Sequence, residues 1–350
     1  MRPALLALAL LLAPLSFADN FILFDRFGAY WAPIEGGPVT PIFDDQVAGS
    51  ASDGDRVLIA RFAGGTLRTA VYDEGDTTPI NESLLTGTFD HTQRPIVVWD
   101  GTRYVVFWMA RGIVNGAAFD ATGVLTSTFE LPEVPSISGA ASNGNTIAVI
   151  RMFASETHAG NAEVILLDAE FHIIRRTLVG SIIKSNGFGH TFLEFARITA
   201  FGSGYYAAWQ HERSSRYRDI LGTRITADGT ALDVVPSTRE LHSLMGTVLA
   251  SVESDSNTMY ELELFVHRAR VLAIMKRTWG RLVTATAIDA KGVTEGPVQV
   301  GGKFEMPTNA ETIVLRDGTL ALSWFELNRV ATINPFRALS GAPRRRSVRH

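Results

Sequence analysis

The sequence predicts an all-β fold, a β-propeller of six four-stranded blades, with seven blades as the alternative. Two short markers recur along the chain, and successive copies lie about 45 to 60 residues apart. The repeated unit contains four short apolar runs and no pattern of helical period. Four strands per unit without a helix are typical of propeller blades.

The first marker is a glycine-containing turn followed by an apolar run, with an aromatic residue or arginine seven residues after the glycine. Asp-Gly and Asn-Gly favour tight hairpin turns because those turns need positive φ angles. The marker therefore predicts the hairpin between the first and second strands of a blade. Its copies are DGDRVLIAR (53–61), DGTRYVVFW (100–108), NGNTIAVIR (143–151), GSGYYAAW (202–209), a degenerate HRARVLAIMKR (267–277) and a shortened DGTLALSW (317–324).

The second marker is Asp-x-x-Gly or a close variant, and it predicts the turn between the third and fourth strands. The copy that begins at Asp168 has lost its glycine and is the weakest match. The copies lie at 25–28, 73–75, 120–123, 168–171, 228–229 and 289–292.

The two ends of the chain predict how the ring closes. The last copy of the first marker is followed by a third strand, NRVATINPF, but by no fourth. The run AYWAPI (29–34) is a fourth strand with no first or second strand before it. N- and C-terminal strands in one blade would pair edges that are otherwise exposed. The run at 21–24 also has the pattern of a third strand. Six blades do not need this additional strand, so seven blades stay the alternative.

Phrases such as RPIVVWDGTRYVVFW and DILGTRITADGTALD resemble the repeats of secreted bacterial β-propeller proteins. Those repeats follow P-x-V-A-x-D-G-x-x-Y-L-V-V-W and then D-I-x-G-x-R-x-x-x-D-G-x-x-L-D. The resemblance is good around 94–108 and 202–233 and poor around 234–277. Most members of that group have no assigned activity, so the resemblance implies a fold more than a function.

Residues 1–18 are predicted to be a secretory signal peptide. Arg2 precedes an unbroken apolar run at 4–12, and Ser-Phe-Ala ends before Asp19. Residues 19–338 form the single propeller domain, and 339–350 a basic, disordered tail. No later segment is long and apolar enough to span a bilayer. We therefore expect a secreted or periplasmic protein, which without cysteine must be stabilised by packing rather than disulfides.

Charge is distributed unevenly along the chain. The tail carries Arg344, Arg345, Arg346 and Arg349 and no acid, whereas the rest of the chain is acidic. An acidic body argues against binding to nucleic acid. The tail is interpreted as a disordered end, and contact with an anionic surface is the alternative.

Functional groups are expected on the propeller face that carries the connections between blades and the hairpins between second and third strands. The candidates for catalysis precede the predicted inner strands and are Asp44, His91, Arg94 and Glu194. Converging carboxylates at the mouth of the channel could act as acid and base on a sugar. The simpler interpretation is that these groups are solvated or pair with each other. No spacing predicts a metal site, and no cofactor is expected.

The candidates for ligand binding lie in predicted loops between second and third strands and are His211, Arg213, Tyr217 and Trp279. The stretch QHERSSRYRD (210–219) is the longest such loop, and Trp279 lies between basic residues. An aromatic side chain in a loop can stack on a sugar or anchor a protein partner. The favoured function is an exported, non-catalytic binding or scaffold propeller for a glycan or protein. The alternative is an exported glycan-active hydrolase or lyase.

Overall fold

A computed structural model describes the chain in ranges separated by short gaps. The described residues are 20–24, 29–33, 40–43, 49–87, 89–90, 94–153, 158–183, 193–214, 217–236, 244–253, 260–267, 269–277, 283–299, 311–314, 320–324 and 329–333. All regular structure in these ranges is β-strand. The predicted signal peptide and basic tail lie outside them, as does Trp279, so those three predictions stay untested.

The strands form seven antiparallel sheets, named S1 to S7 in chain order. S1 contains β1 (Asn20–Phe24), β2 (Ala29–Pro33) and β3 (Thr40–Phe43). S2 contains β4 (Gly49–Ser52), β5 (Arg56–Ala63), β6 (Thr66–Asp73) and β7 (Asn81–Leu85). S3 contains β8 (Ile96–Trp99), β9 (Arg103–Ala110), β10 (Ile113–Asp120) and β11 (Leu125–Leu131).

S4 contains β12 (Gly139–Ser142), β13 (Ile147–Phe153), β14 (His158–Leu167) and β15 (Ile173–Ile183). S5 contains β16 (Leu193–Phe201), β17 (Gly204–Ser214), β18 (Tyr217–Ile225) and β21 (Thr247–Glu253). The short β19 (Val235–Pro236) and β20 (Leu244–Met245) extend S4. S6 contains β22 (Tyr260–His267), β23 (Arg270–Arg277), β24 (Val283–Ile288) and β25 (Thr294–Gln299). S7 contains β26 (Glu311–Val314), β27 (Leu320–Trp324) and β28 (Arg329–Ile333).

Successive sheets pack face to face, as the blades of a propeller do. One apolar cluster lies at each of the five interfaces from S1–S2 to S5–S6. Trp209, for example, packs between S4 and S5 and is fully buried, and Trp108 is buried between S2 and S3. The predicted all-β propeller is therefore confirmed, with these tryptophans in its core.

S2 to S6 are complete blades, whereas the terminal sheets S1 and S7 have three strands each. Among the described strands, those of S1 pair only with one another, and so do those of S7. The structure thus assigns three strands to each end of the chain. The run at 29–33, predicted as a fourth and outer strand, is instead the middle strand of S1, paired with β1 on one side and β3 on the other. The ring of six blades, in which the two ends share one blade, stays a prediction.

The second marker forms the turn between third and fourth strands, and its last position has positive φ. Glycine occupies that position at Gly75, Gly123, Gly229 and Gly292. Phe171 occupies it in S4 and keeps the same conformation, with φ of 68°. The marker that lost its glycine in the sequence therefore keeps its turn in the structure.

A side chain of each of the sheets S1 to S5 donates to a backbone carbonyl in the third-to-fourth turn of the following sheet. The donor is an arginine, tryptophan or threonine, and the acceptor is always one of the turn residues. The contacts from S1–S2 to S5–S6 are Trp31 Nε1 to Asp76 O (2.6 Å), Arg56 Nη1 to Ala121 O (3.5 Å), Arg103 Nη2 to Ala169 O, Thr177 Oγ1 to Gly229 O (2.6 Å) and Arg224 Nη1 to Ala290 O (2.9 Å). Each interface therefore has a polar contact as well as an apolar core.

The connection between β18 and β21 leaves its own blade. It forms the hairpin of β19 and β20, which pairs with the outer edge of S4 through Ser181 and Leu244. The Leu244 amide also donates to Ser181 Oγ at 3.1 Å. Blades S4 and S5 are therefore linked by backbone pairing in addition to side-chain packing.

Candidate ligand-binding face

The turns divide the ends of the propeller into two faces. First-to-second and third-to-fourth turns lie at one end of every complete blade. Second-to-third hairpins and the connections from one blade to the next lie at the other, here called the loop face. Most of the turns at the first end contain a glycine with positive φ.

The predicted loop at 210–219 is wrong, because most of it is strand. β17 continues to Ser214 and β18 begins at Tyr217, so the two strands form a long hairpin. His211 pairs with Asp219 across this hairpin, and its side chain is only 2% exposed. The charged composition resembles that of a loop, but Gln210, His211, Arg218 and Asp219 are buried.

This hairpin holds the buried acidic and basic side chains of the described residues. His211, Arg218 and Asp219 are the His, Arg and Asp side chains there that are less than a tenth exposed, and fully buried Gln210 is next to them. Burying a charge costs several kcal/mol unless other groups compensate it. Such a concentration at one end of one blade marks a candidate functional site.

His211, Asp219 and Ser251 form a row across three strands of S5. Asp219 lies opposite both His211 and Ser251 in the strand register, so the three side chains share one face of the sheet. Ser251 Oγ donates to Asp219 Oδ1 at 2.6 Å. Because Ser251 is exposed, the row connects the blade interior to the surface.

The order of the row determines what it can do chemically. A nucleophilic serine needs a histidine as its base, with the carboxylate on the far side of the histidine. Here the carboxylate of Asp219 lies between the serine and the histidine positions and accepts a hydrogen bond from the Ser251 hydroxyl. The arrangement suits hydrogen bonding to a ligand better than activation of Ser251.

The matching hairpin of S3 is apolar at the same positions. Trp108 in S3 corresponds to Trp209 in S5. Two residues further along the second strand, the cross-strand pair is Ala110 with Ile113 in S3. In S5 the same pair is His211 with Asp219. The S3 hairpin closes there with the turn at Arg111 and Gly112, whereas that of S5 continues. The blade structure therefore does not require polar side chains at the positions of His211 and Asp219.

The predicted catalytic residues are only partly within the described residues. Asp44 and His91 lie outside them. Arg94 is exposed just before β8, and Glu194 lies in β16 opposite Gln210. Glu194 is thereby placed beside the polar hairpin of S5, in a different blade from Arg94. Among the ligand-binding candidates, Arg213 lies near the end of β17 and Tyr217 at the start of β18.

Two other groups of polar side chains have local roles. Arg197, near the start of β16, donates from Nη1 to the carbonyls of Ser138 and Ala196, both at 3.0 Å. Asp168, Glu170 and His172 bring one ligand atom each within 4.8 Å of one another on the third-to-fourth turn of S4. Asp168 Oδ1 accepts from the backbone amides of Glu170 and His172, which explains this proximity by the turn itself.

Sequence reasoning did not single out Asp219 and Ser251 of the row, nor the buried Gln210 and Arg218 that adjoin it in the strands. The stretch QHERSSRYRD contains no alternation that would have marked Gln210, Arg218 and Asp219 as strand residues, because nearly every position in it is polar. No helix in the described parts of the chain has the length and apolar character needed to cross a membrane.

Comparison with solved structures supports the fold. The chain is similar to the WD40 domain of coronin from Toxoplasma gondii, with a TM-score of 0.51, 9% identity and coverage of 90% of this chain and 77% of that one. It also matches the Dos1 propeller (TM-score 0.47, 10% identity, 90% and 75% covered) and the fucose-specific lectin from Aleuria aurantia (TM-score 0.45, 12% identity, 86% and 97% covered). No family model and no curated protein matches the chain. At 9% identity the likeness to the coronin domain shows the fold alone, that of a β-propeller.

Proposed function

We propose that this protein is an exported, non-catalytic propeller that binds a glycan or a protein through its loop face, at the β17–β18 hairpin. The observation that carries the proposal is the burial of His211, Arg218 and Asp219 on that one hairpin. Export is inferred from the apolar N-terminal sequence at 1–18.

The energetics favour a binding role for these residues. Alanine and isoleucine fill the matching positions of S3, so an apolar pair is compatible with the blade. Desolvating an Asp, a His and an Arg at these positions costs free energy that their interactions must offset, and an apolar pair needs no such compensation. Such a cost is typical of functional sites, where rigid polar groups must be held in place before the ligand arrives.

The chemistry of the groups supports a ligand with both hydrogen-bond donors and acceptors. Asp219 accepts, Arg218 donates, and the amide of Gln210 and the ring of His211 do both. Sugar hydroxyls and peptide groups have the same dual character. The exposed Ser251 hydroxyl, bonded to Asp219, provides the contact nearest to solvent.

The proposal is tested by capture of the purified protein on glycan and bacterial cell-wall arrays. His211→Gln and Arg218→Lys keep a polar group of similar size, and Trp279→Ala tests the neighbouring predicted loop in S6. We expect each to weaken capture at least tenfold. Arg111→Gly is the matched control, because Arg111 is exposed at the S3 hairpin turn with φ of 52°. Glycine tolerates that conformation.

Thermal unfolding of each variant separates loss of binding from loss of fold. The proposal fails if the His211 and Arg218 variants unfold like the wild type and capture the ligand equally well. It also fails if the protein releases new reducing ends or unsaturated products from a captured glycan, because that result would establish a glycan-active enzyme.

A further inference from the structure

Four residues other than glycine have a left-handed backbone in the described parts of the chain, and one of them lies inside a strand. Arg111 and Ala269 occupy the short turns of strand hairpins, and Phe171 occupies the third-to-fourth turn of S4. Phe195, with φ of 49°, lies in β16, the first strand of S5. Turns use this conformation regularly, whereas strands do not. Phe195 therefore needs an explanation of its own.

Phe195 belongs to a β-bulge. The pairing of β16 with β17 shifts register between Glu194 and Arg197, so β16 has one residue more than its partner over that stretch. The described first-to-second pairings of S2, S3, S4, S6 and S7 contain no shift. One kind of bulge uses a left-handed residue, and glycine normally occupies that position because it has no Cβ to clash. Phenylalanine here has a steric cost that glycine would avoid.

Packing in the core does not explain this phenylalanine. Phe171 has the same backbone conformation, but its ring stacks on Phe129 at the S3–S4 interface. Phe195 is partly exposed and belongs to none of the five apolar clusters at the described interfaces. Its ring makes no aromatic or cation–π contact with a described residue. A strained position that keeps a side chain outside the core indicates a functional role for that side chain.

The bulge lies near the loop face, beside the polar hairpin of S5. β16 begins at this end with Leu193 and Glu194, which lie opposite His211 and Gln210. The first strands of S2 to S6 contact one another in succession, which places them around the central channel. Phe195 is thus next to the candidate ligand-binding residues and near the mouth of the channel. Bulges beside functional sites commonly re-aim a side chain.

The surroundings of Phe195 favour a sugar over a peptide. The neighbouring hairpin supplies the buried polar side chains of Gln210, His211, Arg218 and Asp219. None of the exposed large apolar side chains of the described residues belongs to β16, β17 or β18. Anchor residues of protein interfaces lie within a packed core that excludes water, which needs further apolar contacts. A sugar needs only one aromatic ring for its C–H face and polar groups for its hydroxyls.

We propose that Phe195 is a ligand-contacting residue of the loop-face site and that its ring stacks on the C–H face of a sugar residue. This inference rests on the proposed function and deepens it, because it commits the ligand to a glycan. The bulge fixes the position of the ring, and the polar groups of the β17–β18 hairpin bond to the sugar hydroxyls. An aromatic group that is held in place before the ligand arrives loses little freedom on binding.

The test measures capture of the purified full chain on two arrays. One carries cello-, malto-, xylo-, manno- and chito-oligosaccharides, and the other carries synthetic peptides. We expect capture on the oligosaccharide array, at least tenfold weaker for Phe195→Ala and Phe195→Gly. Phe195→Tyr should capture within about threefold of the wild type, because it keeps an aromatic face. Phe195→Gly removes the backbone cost and thus protects the test against a folding defect of the alanine variant.

Phe201→Ala is the matched control, because Phe201 is the same residue type at the other end of β16. Its ring packs edge-on against Tyr206, with centroids 6.4 Å apart and planes at 86°. We expect Phe201→Ala to lower the urea midpoint of unfolding and to capture oligosaccharides as the wild type does. Phe195→Ala should show the reverse, a loss of capture with a smaller change in the midpoint. A merely structural role for Phe195 would give it the behaviour of Phe201.

The proposal is overturned if the wild type captures no oligosaccharide, or if the folded Phe195→Ala and Phe195→Gly variants capture as well as the wild type. It is also overturned if Phe195→Tyr loses as much capture as Phe195→Ala. Capture of peptides alone would refute the glycan and leave the proposed binding function standing. Capture that is lost in His211→Gln but kept in the Phe195 variants would refute the role of Phe195 only.

Discussion

The ring of Phe171 stacks on the ring of Phe129, with centroids 3.9 Å apart and planes only 10° from parallel. The Arg103 guanidinium lies 4.6 Å from the Phe171 ring centroid. Phe171 adopts a left-handed backbone in the turn of S4, and Phe129 belongs to the outer strand of S3. Contacts across the blade interface therefore hold a bulky residue in a conformation that normally favours glycine.

This relationship predicts an inverted order of stability at position 171. A residue other than glycine pays roughly 1 kcal/mol in the left-handed region. Phe171→Ala loses the ring and keeps that cost, whereas Phe171→Gly loses the ring and is relieved of it. We expect Phe171→Gly to be more stable than Phe171→Ala by about 1 kcal/mol in urea unfolding.

Phe129 is the control, since it lies in a strand with ordinary backbone angles. There alanine should be more stable than glycine by about 0.5 to 1 kcal/mol. Alanine more stable than glycine at both positions would contradict the account of the turn.

A second prediction concerns Arg224, which connects S5 to S6. Its guanidinium bonds to both oxygens of Asp233, at 2.6 to 3.3 Å, and to the Ala290 carbonyl. Arg224→Lys keeps the charge but cannot form the fork, so we expect a loss of about 1 to 3 kcal/mol in unfolding free energy. Arg270→Lys breaks an exposed pair with Glu295 and should cost less than about 1 kcal/mol. Equal losses for the two variants would contradict this account, because the fork to Asp233 and the contact to Ala290 would then add nothing beyond an exposed ion pair.

A third prediction concerns the packing of Trp209 on Gly180. A Cβ at Gly180 would lie 2.8 Å from Trp209 Cε2 and Nε1. Gly180→Ala should therefore destabilise by about 1 to 3 kcal/mol through overpacking. Gly87→Ala is the control, because its nearest neighbour would be the Phe89 ring at 3.6 Å, an ordinary contact. Combining Gly180→Ala with Trp209→Phe should cost less than the sum of the two, as measured in a double-mutant cycle.

A fourth prediction concerns acid. Burial raises the pKa of Asp233, but the hydrogen bonds from Arg224 outweigh it, so the pKa lies below its usual value. Hydrogen bonds from Arg103 and Thr102 likewise outweigh burial and lower the pKa of Asp100. A carboxylate with a lowered pKa stabilises the fold above its unfolded pKa of about 3.9, and this contribution is lost as pH falls through the folded value.

Unfolding free energy should accordingly be constant near neutral pH and decrease below about pH 4. Asp233→Asn should be less stable than the wild type at pH 7 and lose less on acidification. Urea titrations at pH 7, 5 and 3 measure both effects. Parallel acid profiles for the two proteins would contradict the assignment to Asp233.

The blade framework was predictable because its signals are local. Turn chemistry at Gly101 and Gly144 fixes hairpins, and apolar runs that end in Trp108 and Trp209 identify buried strands. The four-stranded repeat follows from those features alone. The marker at 168–171 is weak in the sequence because Phe171 stands where the other copies have glycine. The left-handed conformation of Phe171 is supported by Phe129 in another blade, which the local sequence does not show.

The candidate site was less predictable because its environment is not local. The charged stretch that contains His211 and Asp219 has the composition of a loop, and the burial of these two residues arises only in the tertiary structure. The hairpin of β19 and β20 lies in the region where the repeat pattern is poorest, and its pairing partner Ser181 is more than fifty residues earlier in the chain. A strand pairing of that kind leaves no periodic trace in a single sequence.

The same hairpin restricts how this architecture can change over evolutionary time. Modules of a repeat protein are gained or lost most easily when each one contacts its neighbours only through standard surfaces. Because the β19–β20 hairpin comes from the S5 connection and pairs with β15 of S4, duplication or deletion of either blade alone would separate this hairpin from its pairing partner. These two modules are consequently expected to be inherited as a pair.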